Sequence, residues 1–170
     1  MYSIDLNCDM GEGTGNDALL MPYISSCSIA CGGHYGTKQS IAATATLAKA
    51  QGVRIGAHPA YPDPENFGRK PMVLSLNSLQ DTLRKQLDIF FSVCTAVNHI
   101  KPHGALYNDL FFDREKAIAV VAVFSEYAPG IKVYCAPGSQ LATVAAEQGF
   151  LVRLEAFADR AYASDGTLVA

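Results

Sequence analysis

Along this 170-residue chain, five short runs alternate polar with apolar side chains, and the polar ones are groups that carry chemistry. Near the N-terminus Asp5, Asn7 and Asp9 alternate with Ile4, Leu6 and Cys8. Ser26 and Ser28, leading on to His34, stand opposite Cys27, Ile29 and Cys31. Arg54, Gly56 and His58 oppose Val53, Ile55 and Ala57, and His99, Lys101 and His103 oppose Ile100 and Pro102. Arg153, Glu155 and Asp159 oppose Val152, Leu154 and Ala156. Successive strand side chains point to opposite faces, so each run has one apolar and one polar face. A sheet covered on both faces by apolar layers reads instead as unbroken Val, Ile and Leu. A barrel whose mouth is a reaction chamber satisfies the alternating pattern.

Strand and helix patterns alternate along the chain. Strands are expected at residues 3–7, 27–31, 54–57, 99–101, 132–135 and 151–155. Helical spacing marks residues 37–51, with Ile41, Ala45 and Ala48 on one face, and a strong stripe of Leu79, Leu83, Leu87 and Phe90. Residues 113–127 read as a helix with Ile118, Val121 and Phe124 inward, and residues 140–148 as another closed by Gly149. β-then-α alternation implies a parallel sheet. An open doubly wound sheet expects one crevice at a switch point, whereas a (β/α) barrel collects functional groups at many strand ends. Groups accumulate here after five of the six strands, which favours a single barrel domain over residues 1–170.

Composition narrows the function. Apolar residues make up 49% and charged residues 17%, which describes a globular chain. The net charge of -3 includes no basic run, which argues against a nucleic-acid partner. Apolar stretches are too short to cross a bilayer, and the first ten residues lack the regions of a signal peptide. Five cysteines with no C-x-x-C pair read as reduced thiols of a cytoplasmic protein, serving as small buried hydrophobes.

The candidate chemistry lies just past the strands. Asp9 and Glu12 are carboxylates suited to holding a metal or acting as a base. Gly11, Gly13 and Gly15 could turn backbone N–H groups toward a phosphate, although the loop is neither a Walker A motif nor a complete dinucleotide fingerprint. His34, His58 and His103 each follow a strand. Residues 59–75 form a long proline-containing loop that includes Tyr61 and Arg69, the latter suited to a carboxylate. Lys101 points into the barrel, where a lysine is costly unless paired, and Asp5, Asp9 and Glu155 are its candidate partners. Tyr107, Asp159 and Arg160 complete the set. A divalent metal on Asp9, His58 and His103 and metal-free acid/base catalysis fit the pattern equally well.

DLNCDMGEG (5–13), SCSIACGGHYG (26–36), GAHPAYPD with NFGR (56–69), KPHGALYN (101–108) and EAFADRAY (155–162) resemble the LamB/YcsF family in order and over the full chain. The resemblance implies a (β/α) barrel of the glycoside hydrolase/deacetylase type, seven-stranded in the family, with about six strands present here. It implies the role of the A subunit in a prokaryotic ATP-dependent 5-oxoprolinase. That enzyme opens the lactam of 5-oxo-L-proline to L-glutamate with hydrolysis of Mg-bound ATP, together with separate B and C subunits. On this footing Asp9 or His103 acts as base, with Asp159 completing the catalytic set. His34 and His58 stabilise developing charge, and Lys101 counters phosphate or oxyanion charge. Arg69 or Arg160 holds the substrate carboxylate, with Asn7, Glu12, Tyr61 and Tyr107 lining the substrate site and Gly11, Gly13 and Gly15 the nucleotide loop.

Family members continue beyond the point reached by Thr167–Ala170, so the chain is expected to lack the last part of the barrel. A truncated product, a fragment, or a chain that closes by homo-oligomerising are the readings this leaves. Two further functions stay open: a metal-dependent amide or carbohydrate hydrolase of the deacetylase kind, and a non-catalytic scaffold.

Overall fold

The computed structural model describes residues 3–164 and 168–169. Six parallel strands form one sheet in chain order: β1 (Asn7–Met10), β2 (Ser26–Ala30), β3 (Arg54–His58), β4 (His99–Ile100), β5 (Lys132–Cys135) and β6 (Leu151–Leu154). The sheet is a half-barrel whose edges, among the described residues, are β1 and β6. Helices α1 (Asp17–Leu20), α2 (Lys38–Ala50), α3 (Leu76–Phe91), α4 (Gly104–Phe112), α5 (Arg114–Tyr127) and α6 (Gln140–Glu147) flank it.

Local chemistry starts most of these helices. The Thr37 hydroxyl accepts from Ser40 N–H while the Ser40 hydroxyl accepts from Thr37 N–H, a reciprocal cap on α2. Ser75, Asp113 and Ser139 cap α3, α5 and α6 through the backbone N–H three residues on. The expected α3 stripe is buried as a unit, with Leu79, Leu83, Leu87 and Phe90 in the core.

Two expectations are corrected, and one helix lies where none was marked. The first strand pairs from Asn7, not from residue 3, because its neighbour enters the sheet only at Ser26. Before that point the Ser25 hydroxyl meets Leu6 N–H in place of a ladder bond. Residues 104–112, where the sequence pattern marks no element, are helical, because the Gly68 carbonyl from a distant loop caps the Ala105 N–H. In α5 the buried face is Ala117, Val120, Val121 and Phe124, which turns Ile118 outward to 50% exposure.

The concave side of the sheet is polar. In register across it stand Asp9, Ser28, Gly56 and His99. Gly56 is the opening in that row, since a Cβ there would lie 2.2 Å from His99 Nε2. Without it the His99 ring reaches across β3. Its Nε2 accepts from Asn7 Nδ2 at 3.3 Å and lies 3.1 Å from the Ser28 hydroxyl. Burial holds the His99 imidazole down to about 3, so it stays neutral.

Asp5 ties the other end of the half-barrel. It accepts from Arg54 at 2.7 Å, Tyr134 at 2.5 Å, Ser26 at 3.1 Å and the Ser25 hydroxyl. Partial burial would raise its carboxyl, but the bonds from Ser25, Tyr134, Arg54 and Ser26 bring it down from 3.8 to about 2. A depressed carboxyl stabilises the fold above its unfolded value and loses that contribution as pH falls through the folded one. Asp5→Asn is expected to lower the melting temperature at pH 7, with the gap to wild type closing as pH drops from about 5 toward 2. Thermal melts across that range check this; a gap independent of pH would remove Asp5 from the account.

Candidate active site

Lys101 lies just past β4 with 4% of its side chain exposed. Its ammonium is 3.2 Å from Asp9 at the end of β1 and 3.2 Å from Glu155 just beyond β6. Burial alone would lower its pKa, but Asp9 and Glu155 outweigh that and raise it, so the lysine stays charged. Burial would likewise raise the Asp9 carboxyl, yet His58 and Lys101 hold it well below the usual range. The ammonium also sits 4.9 Å from the Phe157 ring centre.

A second cluster adjoins this triad. His34 follows β2, His58 ends β3, His103 precedes α4, and Glu12 reaches in from the loop after β1. These four are the group among the described residues whose ligand atoms lie within 4.8 Å of one another. His58 Nδ1–H donates to the Lys101 carbonyl at 2.7 Å, and His103 Nε2–H donates to the Phe67 carbonyl at 2.9 Å. Phe67 is a non-glycine residue at φ 55, a strained backbone held where its carbonyl meets His103. His34 Nε2–H donates to Glu12 Oε1 at 2.8 Å, and its ring stacks on His103 at 3.6 Å between centres. Burial, with His58 beside them, brings His34 and His103 each down to about 3, and burial raises the Glu12 carboxyl.

Both clusters open on a cavity of about 460 Å³, a size suited to a small molecule. Asn7, Asp9, His58, Lys101, His103 and Tyr107 line its depth, and Arg69, Asp159 and Arg160 its mouth. The Tyr107 phenol is pushed up by burial and by Glu155 beside it.

Several sequence candidates fall elsewhere. Tyr61 is wholly buried and donates to Asp109 at 2.6 Å on the outer flank, because the backbone after Ala60 turns its ring into the core. Asp159 stays at the cavity mouth, its side chain 79% exposed and 3.7 Å from Arg160. Of the glycines, Gly11 spends its N–H on Asp17 at 2.9 Å, the Tyr35 ring covers Gly13, and none of Gly11, Gly13 and Gly15 lines the cavity. The metal-type grouping also differs from expectation. Glu12 and His34 join His58 and His103, and Asp9 stands between this group and the lysine, with Oδ2 3.3 Å from His58 Nε2 and Oδ1 3.2 Å from the ammonium. Asp5, a candidate partner for Lys101, is spent on Arg54 at the opposite end.

Sequence reasoning missed Gln86. This α3 residue is 4% exposed, accepts from Ala60 N–H at 2.9 Å and donates to the Ala60 carbonyl at 2.8 Å. It also packs against Gly33, so one amide joins the loops that deliver His34 and His58. The signal was legible: Gln86 lies three residues after Leu83 and seven after Leu79, a polar residue on an apolar stripe.

A half-barrel with a histidine–carboxylate cluster beside a buried lysine defines a class of small-molecule site. Residues 4–170 match the LamB/YcsF family, and the chain belongs to that family. It is 42% identical to the A subunits of 5-oxoprolinase from Neisseria meningitidis serogroups C and A, over 99% of this chain and 71% of each relative. The crystal structure of a lactam utilization protein from Thermus thermophilus superposes with a TM-score of 0.93 at 37% identity, covering 99% of this chain and 72% of that one.

Two substitutions test this architecture. Lys101→Met leaves Asp9 and Glu155 without their cation and is expected to cost about 3–5 kcal/mol at pH 7. Part of that loss returns as pH falls and the carboxylates protonate, which urea unfolding at pH 7 and pH 5 would reveal. Gln86→Leu strands both backbone groups of Ala60 and is expected to cost about 2–5 kcal/mol. Urea unfolding would measure the loss, and a change under about 1 kcal/mol would mean the loops are held by other contacts.

Proposed function

We propose that this chain acts as the A subunit of a 5-oxoprolinase, opening the lactam of 5-oxo-L-proline to L-glutamate with ATP hydrolysis, together with B and C subunits. The observation that carries this reading is the buried Lys101 ammonium, held by Asp9 and Glu155 and facing the cavity. Family membership and the names of the relatives support it.

A five-membered lactam is a stable amide that water attacks slowly. Transfer of the ATP γ-phosphoryl group to the lactam oxygen makes that oxygen a leaving group. Water then adds at the carbonyl carbon, the C–N bond breaks and the ring nitrogen takes up a proton as the amine, which leaves γ-glutamyl phosphate for a second water to hydrolyse to glutamate and phosphate. Lys101 counters the charge that builds on the lactam oxygen or its phosphate. Arg69 and Arg160 at the cavity mouth bind the substrate carboxylate. His103 has one ring nitrogen spent on Phe67 and the other turned to His58, which leaves Asp9 to take the proton from water. As Lys101 engages substrate its hold on Asp9 weakens and the carboxylate becomes more basic.

Purified chain, B and C subunits, Mg-ATP and 5-oxoproline are expected to release glutamate only as a complete mixture. Asp9→Asn and Lys101→Ala should each lower kcat by about 10²–10⁴. Arg69→Lys and Arg160→Lys should raise KM, since an ammonium does not replace a bidentate guanidinium. Failure of this chain where the A subunit of a characterised 5-oxoprolinase succeeds in the same mixture would overturn the reading.

A further inference from the structure

We propose that Glu12, His58 and His103 bind a divalent transition-metal ion, with His34 as the residue that positions Glu12. The argument begins with protons. A neutral imidazole carries one N–H, and a carbonyl can only accept. His58 spends its proton at Nδ1 on the Lys101 carbonyl, and His103 spends its proton at Nε2 on the Phe67 carbonyl. The remaining nitrogens, His58 Nε2 and His103 Nδ1, both carry lone pairs, yet they face each other at 2.9 Å. Two lone pairs so placed inside a buried site repel unless a metal ion or a second proton on His58 lies between them.

A third electron-rich atom converges on the same place. Glu12 Oε1 is 3.6 Å from His103 Nδ1 and 4.0 Å from His58 Nε2. Ligand atoms about 2.0–2.1 Å from a tetrahedral zinc stand about 3.3 Å apart. The three observed separations bracket that value, whereas a proton bridges one donor–acceptor pair and leaves the third atom unaddressed. Nitrogen and oxygen donors of this kind suit zinc, cobalt or iron more than magnesium or calcium.

The surrounding bonds are those of a metal site. Each ligating histidine is oriented through its other nitrogen by a backbone carbonyl. His34 spends its Nε2–H on Glu12 and stacks on His103 within 6° of parallel, so it holds the carboxylate rather than the ion. His58 and His103 line the cavity, so three protein ligands leave a coordination position open toward it. The ion would sit beside Asp9, whose Oδ2 is 3.3 Å from His58 Nε2.

The test uses tag-free chain stripped of metal and titrated with Co(II) by absorbance and Zn(II) by calorimetry. One equivalent per chain is expected, together with a rise in melting temperature on adding Zn(II). His58→Ala and His103→Ala should each weaken binding more than 100-fold, and His34→Gln about 10–100-fold. His58→Asn and His103→Gln serve as second variants where an alanine fails to fold, with native melting confirmed before titration. Natively folded, stripped chain that binds neither ion overturns the proposal, as does affinity unchanged in the folded His58 and His103 variants. The readout is independent of catalysis: metal binding without glutamate release would sink the lactam reading and leave this one standing.

Discussion

The ammonium of Lys101 is the tie on which the mouth of this half-barrel depends. It reaches Asp9 on the first strand and Glu155 just beyond the last, so one buried cation joins the two edges of an open sheet from a position past β4. Desolvating a lysine is costly, and the cost is offset only while both carboxylates stay close. The same pairing keeps Asp9 ionised at the cavity. Geometry that secures the fold here therefore also sets the charge of the site.

The interior behind that tie is polar because the sheet is lined that way. Asn7, Ser26, Ser28 and the Nε2 of His99 bond one another across four strands, and Gly56 provides the gap through which His99 reaches. Buried polar groups are tolerated when each finds a partner. At the opposite end Asp5 gathers Ser25, Arg54 and Tyr134. The helices supply the apolar contribution from outside, through stripes such as Leu79, Leu83, Leu87 and Phe90. Along that stripe Gln86 trades apolar burial for a clamp on the two loops that carry His34 and His58.

Much of this architecture was legible in the order of residues, because strand alternation and helical spacing are local periodicities. The β5 bounds at 132–135 and the α3 stripe of Leu79, Leu83, Leu87 and Phe90 follow from such periodicities. The misses depended on partners far along the chain. Gly68 caps α4 from 37 residues away, and Ser26 decides where β1 begins pairing. Tyr61 stands in a loop dense with candidate groups, yet its hydroxyl is claimed by Asp109.

By itself the sequence determined the residue types, their alternation, and their placement just after strands, since the periods of two and 3.6 are properties of the backbone. It thereby determined that His34, His58, Lys101 and His103 would meet at one end of a barrel. Only the tertiary structure decided how they divide. Lys101 took Glu155 and one oxygen of Asp9, whose other oxygen faces His58, and Glu12 went to the histidines. The physical reason is that charge pairing falls off over a few ångströms, while those residues lie as far apart in sequence as 9 and 155.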